Sequence, residues 1–149
     1  MRGLRTRPLA LVVEDEPDVL QILRVNLEAG GMDTVLAADG DTALRRIEIE
    51  HPDVILLDLM LPVVDGWEVL AGLTSRPDPA PVIVCSARRG EAEVQRAMRL
   101  GAFDFIQKPF DPARVVDAAR RATGLDPIAA SLGMPIPRLL GLDGQAAPS

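Results

Sequence analysis

At 149 residues the chain has room for one domain, and a domain of this size buries roughly 70% of its unfolded-state surface. Its composition is 48% hydrophobic and 26% charged, with a formal net charge of −6. That argues against direct contact with nucleic acid, which needs a basic surface to neutralise phosphates. No apolar run approaches a membrane span, the N-terminal MRGLRTRPLALVVEDE lacks a signal-peptide core, and the single Cys85 cannot form an internal disulfide, so a reducing cytoplasm is the expected setting.

After an N-terminal extension, residues 1–8, short β-branched runs alternate with amphipathic stretches of helical length. This is the signature of a parallel sheet covered by helices on both faces. In chain order the expected elements are strand Leu9–Val13, helix Pro17–Ala29, strand Thr34–Ala37 and helix Asp41–Glu50. Strand Val54–Leu57, helix Asp65–Thr74, strand Val82–Cys85, helix Arg89–Leu100, strand Phe103–Ile106 and helix Pro112–Ala122 follow. Gly30-Gly31 stops the first helix, Asp111-Pro112 caps and starts the last, and the proline-rich loop 77–81 leads into the fourth strand. Residues 9–123 form the domain. The remaining segment, 124–149, is broken by four prolines and four glycines but keeps several apolar residues; it reads as a tail that packs partly on its own domain, or as a docking segment.

In open parallel sheets, ligands bind beyond the carboxyl ends of the strands. At that edge stand Glu14, Asp15 and Glu16 after strand one, Asp58 after strand three, Ser86 after strand four and Lys108-Pro109 after strand five. Gathering Glu14, Asp15 and Asp58 in one crevice costs repulsion unless a cation is present, and hard oxygen donors in a partly open site suit Mg²⁺. Because Mg²⁺ keeps waters and takes one or two carboxylates with phosphate oxygens, a phosphorylated group belongs nearby, with Lys108 and Ser86 to meet its other oxygens. A carboxylate can itself attack phosphorus, and Asp58 is best placed to do so.

The segments LVVEDEPD, ILLDLMLPVVDGWEVL, VIVCSAR and GAFDFIQKPFDP occur in that order. With them the chain resembles a response-regulator receiver domain of bacterial two-component signalling, of the single-domain, chemotaxis-regulator-like kind. The resemblance covers about 9–123 and implies a doubly wound five-stranded α/β fold with flavodoxin-like strand order 2-1-3-4-5. It implies that Asp58 accepts a phosphoryl group from a histidine kinase or histidine phosphotransfer protein. Asp15, Asp58 and the Met60 backbone carbonyl would ligate Mg²⁺, and Glu14 would hold a metal-bound water. Ser86 and Lys108 would contact phosphoryl oxygens, Phe105 would follow Ser86 as the aromatic switch, and Lys108-Pro109 would be cis. Output would pass to a downstream protein target, and phosphorylation-dependent homodimerisation is open. Met60 and Arg88 fall at positions that tune aspartyl-phosphate hydrolysis; since Met60 cannot orient a water, self-dephosphorylation is expected to be slow.

Blander readings exist for several residues. The acids 14–16 can be a solvated turn at a helix N-terminus, Asp58 can cap a turn, and one of Phe103 and Phe105 can be plain core. Trp67 reads as packing and His51 as a surface residue remote from the crevice. A dehalogenase-like Mg²⁺ phosphatase would need a second acid two residues after the nucleophile, where Met60 stands, so steady enzymatic turnover is not expected. An FMN carrier would need a hydroxyl- and glycine-rich loop where Glu14-Asp15-Glu16 stands. A receiver module from a longer regulator or hybrid kinase, and a receiver-like scaffold that is never phosphorylated, share every motif with the stand-alone switch.

Overall fold

The computed structural model describes residues 6–87 and 90–125; Arg88 and the segment from 126 onward lie outside them. Ten elements alternate: β1 (Leu9–Val13), α1 (Pro17–Ala29), β2 (Asp33–Ala37), α2 (Gly40–Glu50), β3 (Val54–Leu57), α3 (Gly66–Thr74), β4 (Val82–Ser86), α4 (Glu91–Arg99), β5 (Asp104–Gln107) and α5 (Pro112–Thr123). The strands form one parallel sheet in the order β2-β1-β3-β4-β5, as the sequence reading expected.

Local chemistry sets most boundaries. Asp39, Asp65 and Asp111 cap α2, α3 and α5 by accepting from Thr42 N, Trp67 N and Ala113 N. Seven of the ten elements differ from the expected bounds by one or two residues at an end, and two of the shifted starts have a clear local cause. α4 starts at Glu91 rather than Arg89, because Gly90 sits at φ 109, outside the helical region. β5 starts at Asp104 rather than Phe103: Phe103 N donates once, to Val82 O, and paired register begins at Ile83 with Asp104.

Strand side chains alternate between two cores. Leu11, Val13, Ile55, Leu57, Val82, Val84 and Phe105 pack under α2, α3 and α4. Ala10, Val12, Val54, Leu56, Ile83, Cys85 and Ile106 pack under α1 and α5. The packed unit reaches slightly beyond 9–123. Arg7, from the N-terminal extension, donates to the carbonyls of Glu28, Gly31 and Met32. Arg120 donates to Gly30 O. Together they serve the carboxyl end of α1, whose last turn has no basic residue of its own. Leu125 packs against the α1/α5 core. No helix among the described residues is long and apolar enough to cross a membrane.

Trp67 is buried in the α3-side core, with the Arg96 guanidinium 4.2 Å from its ring centroid. Cys85 is buried, and loss of solvation pushes its thiol up to about 12. It should therefore stay unlabelled by iodoacetamide at pH ~8 in the native state and react only at the rate of unfolding. Rapid labelling without loss of structure would contradict its burial.

Candidate functional site

The site is built by register. Val13 of β1 lies opposite Leu57 of β3, so Glu14 and Asp58 leave adjacent strands at the same level. Asp58 N donates to Val13 O at 3.0 Å, and Glu14 N donates to Ala37 O at 3.0 Å, extending the ladder one residue past the strands. On the other side Lys108 N donates to Ser86 O at 2.9 Å, fixing the residue after β5 against the end of β4. Four strand ends thus present Glu14, Asp58, Ser86 and Lys108 along one edge. The Lys108-Pro109 peptide is cis, as the resemblance implied.

Lys108 Nζ reaches back into the crevice. It donates to Asp58 Oδ2 at 3.1 Å and to Glu14 Oε1, and it lies 3.5 Å from Glu16 Oε1. The other Asp58 oxygen, Oδ1, accepts from Met60 N at 3.0 Å. Glu14 Oε2 accepts from Glu16 N at 3.2 Å. Glu14 and Asp58 are buried, at 2% and 4% exposure, whereas Asp15 faces solvent. The solvated-turn reading therefore fails for Glu14, while its two neighbours are exposed. Ligand atoms of Glu14, Asp15 and Asp58 lie within 4.8 Å of one another.

Burial, then the charge of Asp58, raises Glu14 to about 7 against the pull of Lys108. Burial works against the Lys108 ammonium too, but the Glu14 hydrogen bond and the Asp58 charge outweigh it and hold its pKa above the ordinary lysine value. Four carboxylates, Glu14, Asp15, Glu16 and Asp58, gather around one ammonium, so the crevice carries unbalanced negative charge and an all-oxygen donor set, partly open through Asp15. Those are the properties of a site for a hard divalent cation.

Of the residues singled out by sequence, Glu14, Asp15, Asp58 and Lys108 come together directly. Ser86 is fully buried at the end of β4, and Phe105 is buried on β5 in the α3-side core. Phe103 is the less buried phenylalanine of the pair, at the edge of the other core. Met60 leaves its side chain half exposed beside Asp58. His51 caps α2 with φ 50, away from this edge. Glu16 had no assigned part and joins the Lys108 cluster; nothing in a run of three acids marks which one turns inward. A second unforeseen feature is the close passage of Gly66 over the Leu59 backbone, which the missing Cβ permits and which brings the start of α3 next to the end of β3.

Comparison with known proteins agrees with this geometry. Residues 10–120 match the family model described as the response regulator receiver domain. The chain is 41% identical over 105 residues to the alkaline phosphatase synthesis transcriptional regulatory protein PhoP of Bacillus subtilis, covering 70% of this chain and 44% of that protein. It is 40% identical over 128 residues to the transcriptional regulatory protein KdpE of Mycobacterium tuberculosis, covering 86% and 56%. The chain thus spans about half the length of these curated relatives. Among solved structures, the receiver domain of Francisella response regulator 1452 superposes with a TM-score of 0.74 at 30% identity, covering 78% of this chain and 96% of that one. The Brucella abortus NtrX receiver domain gives 0.71 at 34%, covering 76% and 97%. With the strand order, the acidic crevice and the matched span all in agreement, the chain belongs to the response regulator receiver domain family.

Proposed function

We propose that the domain is a phosphorylation-activated switch in which Asp58 accepts a phosphoryl group from a histidine kinase or histidine phosphotransfer protein. The observation that carries this reading is the buried Asp58 carboxylate at the end of β3, held at one oxygen by Met60 N and at the other by Lys108. An Asp58 oxygen forms the new O–P bond as the P–N bond of a phosphohistidine breaks, and the imidazole leaves with the electron pair. Lys108, already aimed at Asp58, neutralises charge on the incoming phosphoryl oxygens, and the Ser86 hydroxyl offers a further donor.

Asp15, Asp58 and the Met60 carbonyl would hold Mg²⁺, with Glu14 acting through a bound water; the three-carboxylate donor set fits that ion. Bound there, Mg²⁺ supplies the remaining positive charge that the crowded oxygens require. Ser86 and Phe105 would carry the change outward through the α4 and β5 surface to a downstream protein, as a local charge event biasing a packed element.

Incubation with Mg²⁺ and acetyl phosphate should add the mass of one phosphoryl group to the native chain and nothing to Asp58→Ala. An adduct that survives the substitution, or forms equally in EDTA, would overturn the assignment. The adduct should decay slowly, because Met60 offers no polar group to an attacking water; a half-life of only seconds would contradict that.

A further inference from the structure

α1 begins differently from the other helices that open on an acid. Asp39, Asp65 and Asp111 stand at the N-caps of α2, α3 and α5 and accept from backbone amides. Glu16 occupies the N-cap of α1 with the same extended backbone, yet its side chain makes no cap bond. Glutamate is not among the residues preferred for that task, because its extra methylene carries the carboxylate past the amides that aspartate reaches. The side chain turns to the mouth of the crevice instead. Its Oε1 lies 3.5 Å from Lys108 Nζ with 64% of the side chain exposed, while Glu16 N donates to Glu14 Oε2.

Of the 16 lysines and arginines in the chain, Lys108 alone is a lysine. A compact ammonium with three donors on a flexible stem can pass between carboxylates in a way that a planar guanidinium does not. Its buried partners Glu14 and Asp58 are also two of the three acids that form the donor set for a hard divalent cation. An ammonium and such a cation on the same oxygens repel each other, so loading of the crevice requires Nζ to withdraw. Withdrawal without a partner is costly for a charge whose side chain is only 14% exposed. Glu16 is the carboxylate of this cluster that lies against Nζ and stands outside the donor set.

We propose that Glu16 is a positioning residue for Lys108: it receives the ammonium at the crevice mouth when a divalent cation takes Glu14 and Asp58, and so sets how readily the crevice loads. The proposal rests on the Mg²⁺ part of the reading above. Neutralising Glu16 acts twice in one direction, since it removes a negative charge near the donor set and leaves Lys108 with no alternative to the buried acids.

The test is calorimetric titration of the full chain with Mg²⁺ for native, Glu16→Gln and Glu16→Asp. Glu16→Gln should bind about three- to tenfold more weakly at low ionic strength, the scale of one partly exposed charge acting on a divalent ion, and the gap should shrink at about 0.5 M salt. Glu16→Asp keeps the charge but can fold back to cap α1. It should also bind more weakly than native, and should melt about 2–4 °C higher in EDTA, which separates the loss of affinity from any loss of fold. Selective isotope labelling of lysine gives a single side-chain NMR signal, that of Lys108. Mg²⁺ should move it in the native chain to a position that Glu16→Gln does not reproduce, a difference that a merely structural Glu16 would not create. Equal Mg²⁺ affinity of native and Glu16→Gln, or the same Lys108 signal in both loaded chains, overturns this role and leaves the metal reading standing. Native-like affinity in Glu16→Asp overturns it too, since charge without the Lys108 contact would then suffice. A native chain that takes up no Mg²⁺ removes the metal reading and this role together.

Discussion

Replacing Lys108 with alanine should destabilise the metal-free protein by about 3–5 kcal/mol near pH 8, the range for removing one partner of a buried ion pair. Two buried carboxylates, Glu14 and Asp58, would then face each other without the ammonium that now bonds both. The loss should depend on pH. With Lys108 present, burial and Asp58 already raise Glu14 from 4.5 to about 7, and Lys108 opposes that rise, so its removal moves the folded-state value further up. A carboxyl raised on folding favours the folded state below its unfolded pKa, and that contribution is lost as pH climbs through the folded value. Both chains lose that contribution in parallel up to about pH 7, so the gap between variant and native chain should widen as pH climbs past about 7, where native Glu14 ionises and the variant's stays protonated. Urea unfolding in EDTA, followed by Trp67 fluorescence, measures it. A gap that stays flat or narrows would mean that Lys108 does not compensate the buried acids.

Gly66→Ala should cost on the order of 4 kcal/mol, at the upper end for point substitutions. A Cβ at Gly66 would lie 2.2 Å from Leu59 O and 2.4 Å from Leu59 Cα. Those are backbone atoms one residue past Asp58, so they cannot swing aside as a side chain does. Either α3 lifts from the sheet or the end of β3 is displaced, and the second disturbs the nucleophile directly. Gly72→Ala is the matched control in the same helix. It is exposed, a Cβ there meets nothing within 4 Å, and the change should stabilise by about 0.5–1 kcal/mol through helix propensity. Thermal melts of the two variants should move in opposite directions. Equal destabilisation would show that glycine at 66 serves α3 as flexible backbone rather than as clearance over Leu59.

Much of the scaffold is legible without coordinates because its rules are local. β1, α1 and β3 have the bounds that hydrophobic runs, Pro17, Gly30 and the flanking charges imply. Asp111 caps α5 as its place before Pro112 implies, whereas Asp39 and Asp65 prove to cap α2 and α3, helices read from the sequence as starting at Asp41 and Asp65. The shortfalls are also local: the helix start at Arg89 overlooks the positive φ of Gly90, and the strand start at Phe103 counts a single hydrogen bond as a paired register. The ordered acids, Asp58, Ser86 and Lys108 at successive strand ends point to one crevice because a parallel sheet places all its carboxyl ends at one edge.

Distances between those ends, and which side chain of a cluster turns inward, are set by contacts between residues far apart in the chain. Glu14 and Glu16 are alike in sequence; one is buried and the other exposed because Glu14 N continues the ladder onto Ala37 while Lys108 returns from 94 residues away to meet its carboxylate. Local propensity favours an extended strand for a β-branched pair such as Val63-Val64, yet Leu61 and Val64 pack against the core while Val64 N donates to Pro62 O, a tight turn that leaves Val63 exposed. Arg96 over Trp67, Arg7 at the end of α1 and Gly66 against Leu59 join elements whose proximity no periodicity records. Element types, the row of strand-end groups and the chemistry they carry can be read from the order of residues, since they follow from short-range propensity and residue type. Burial, charge pairing and strain emerge only on folding, since each depends on how separate segments meet in three dimensions.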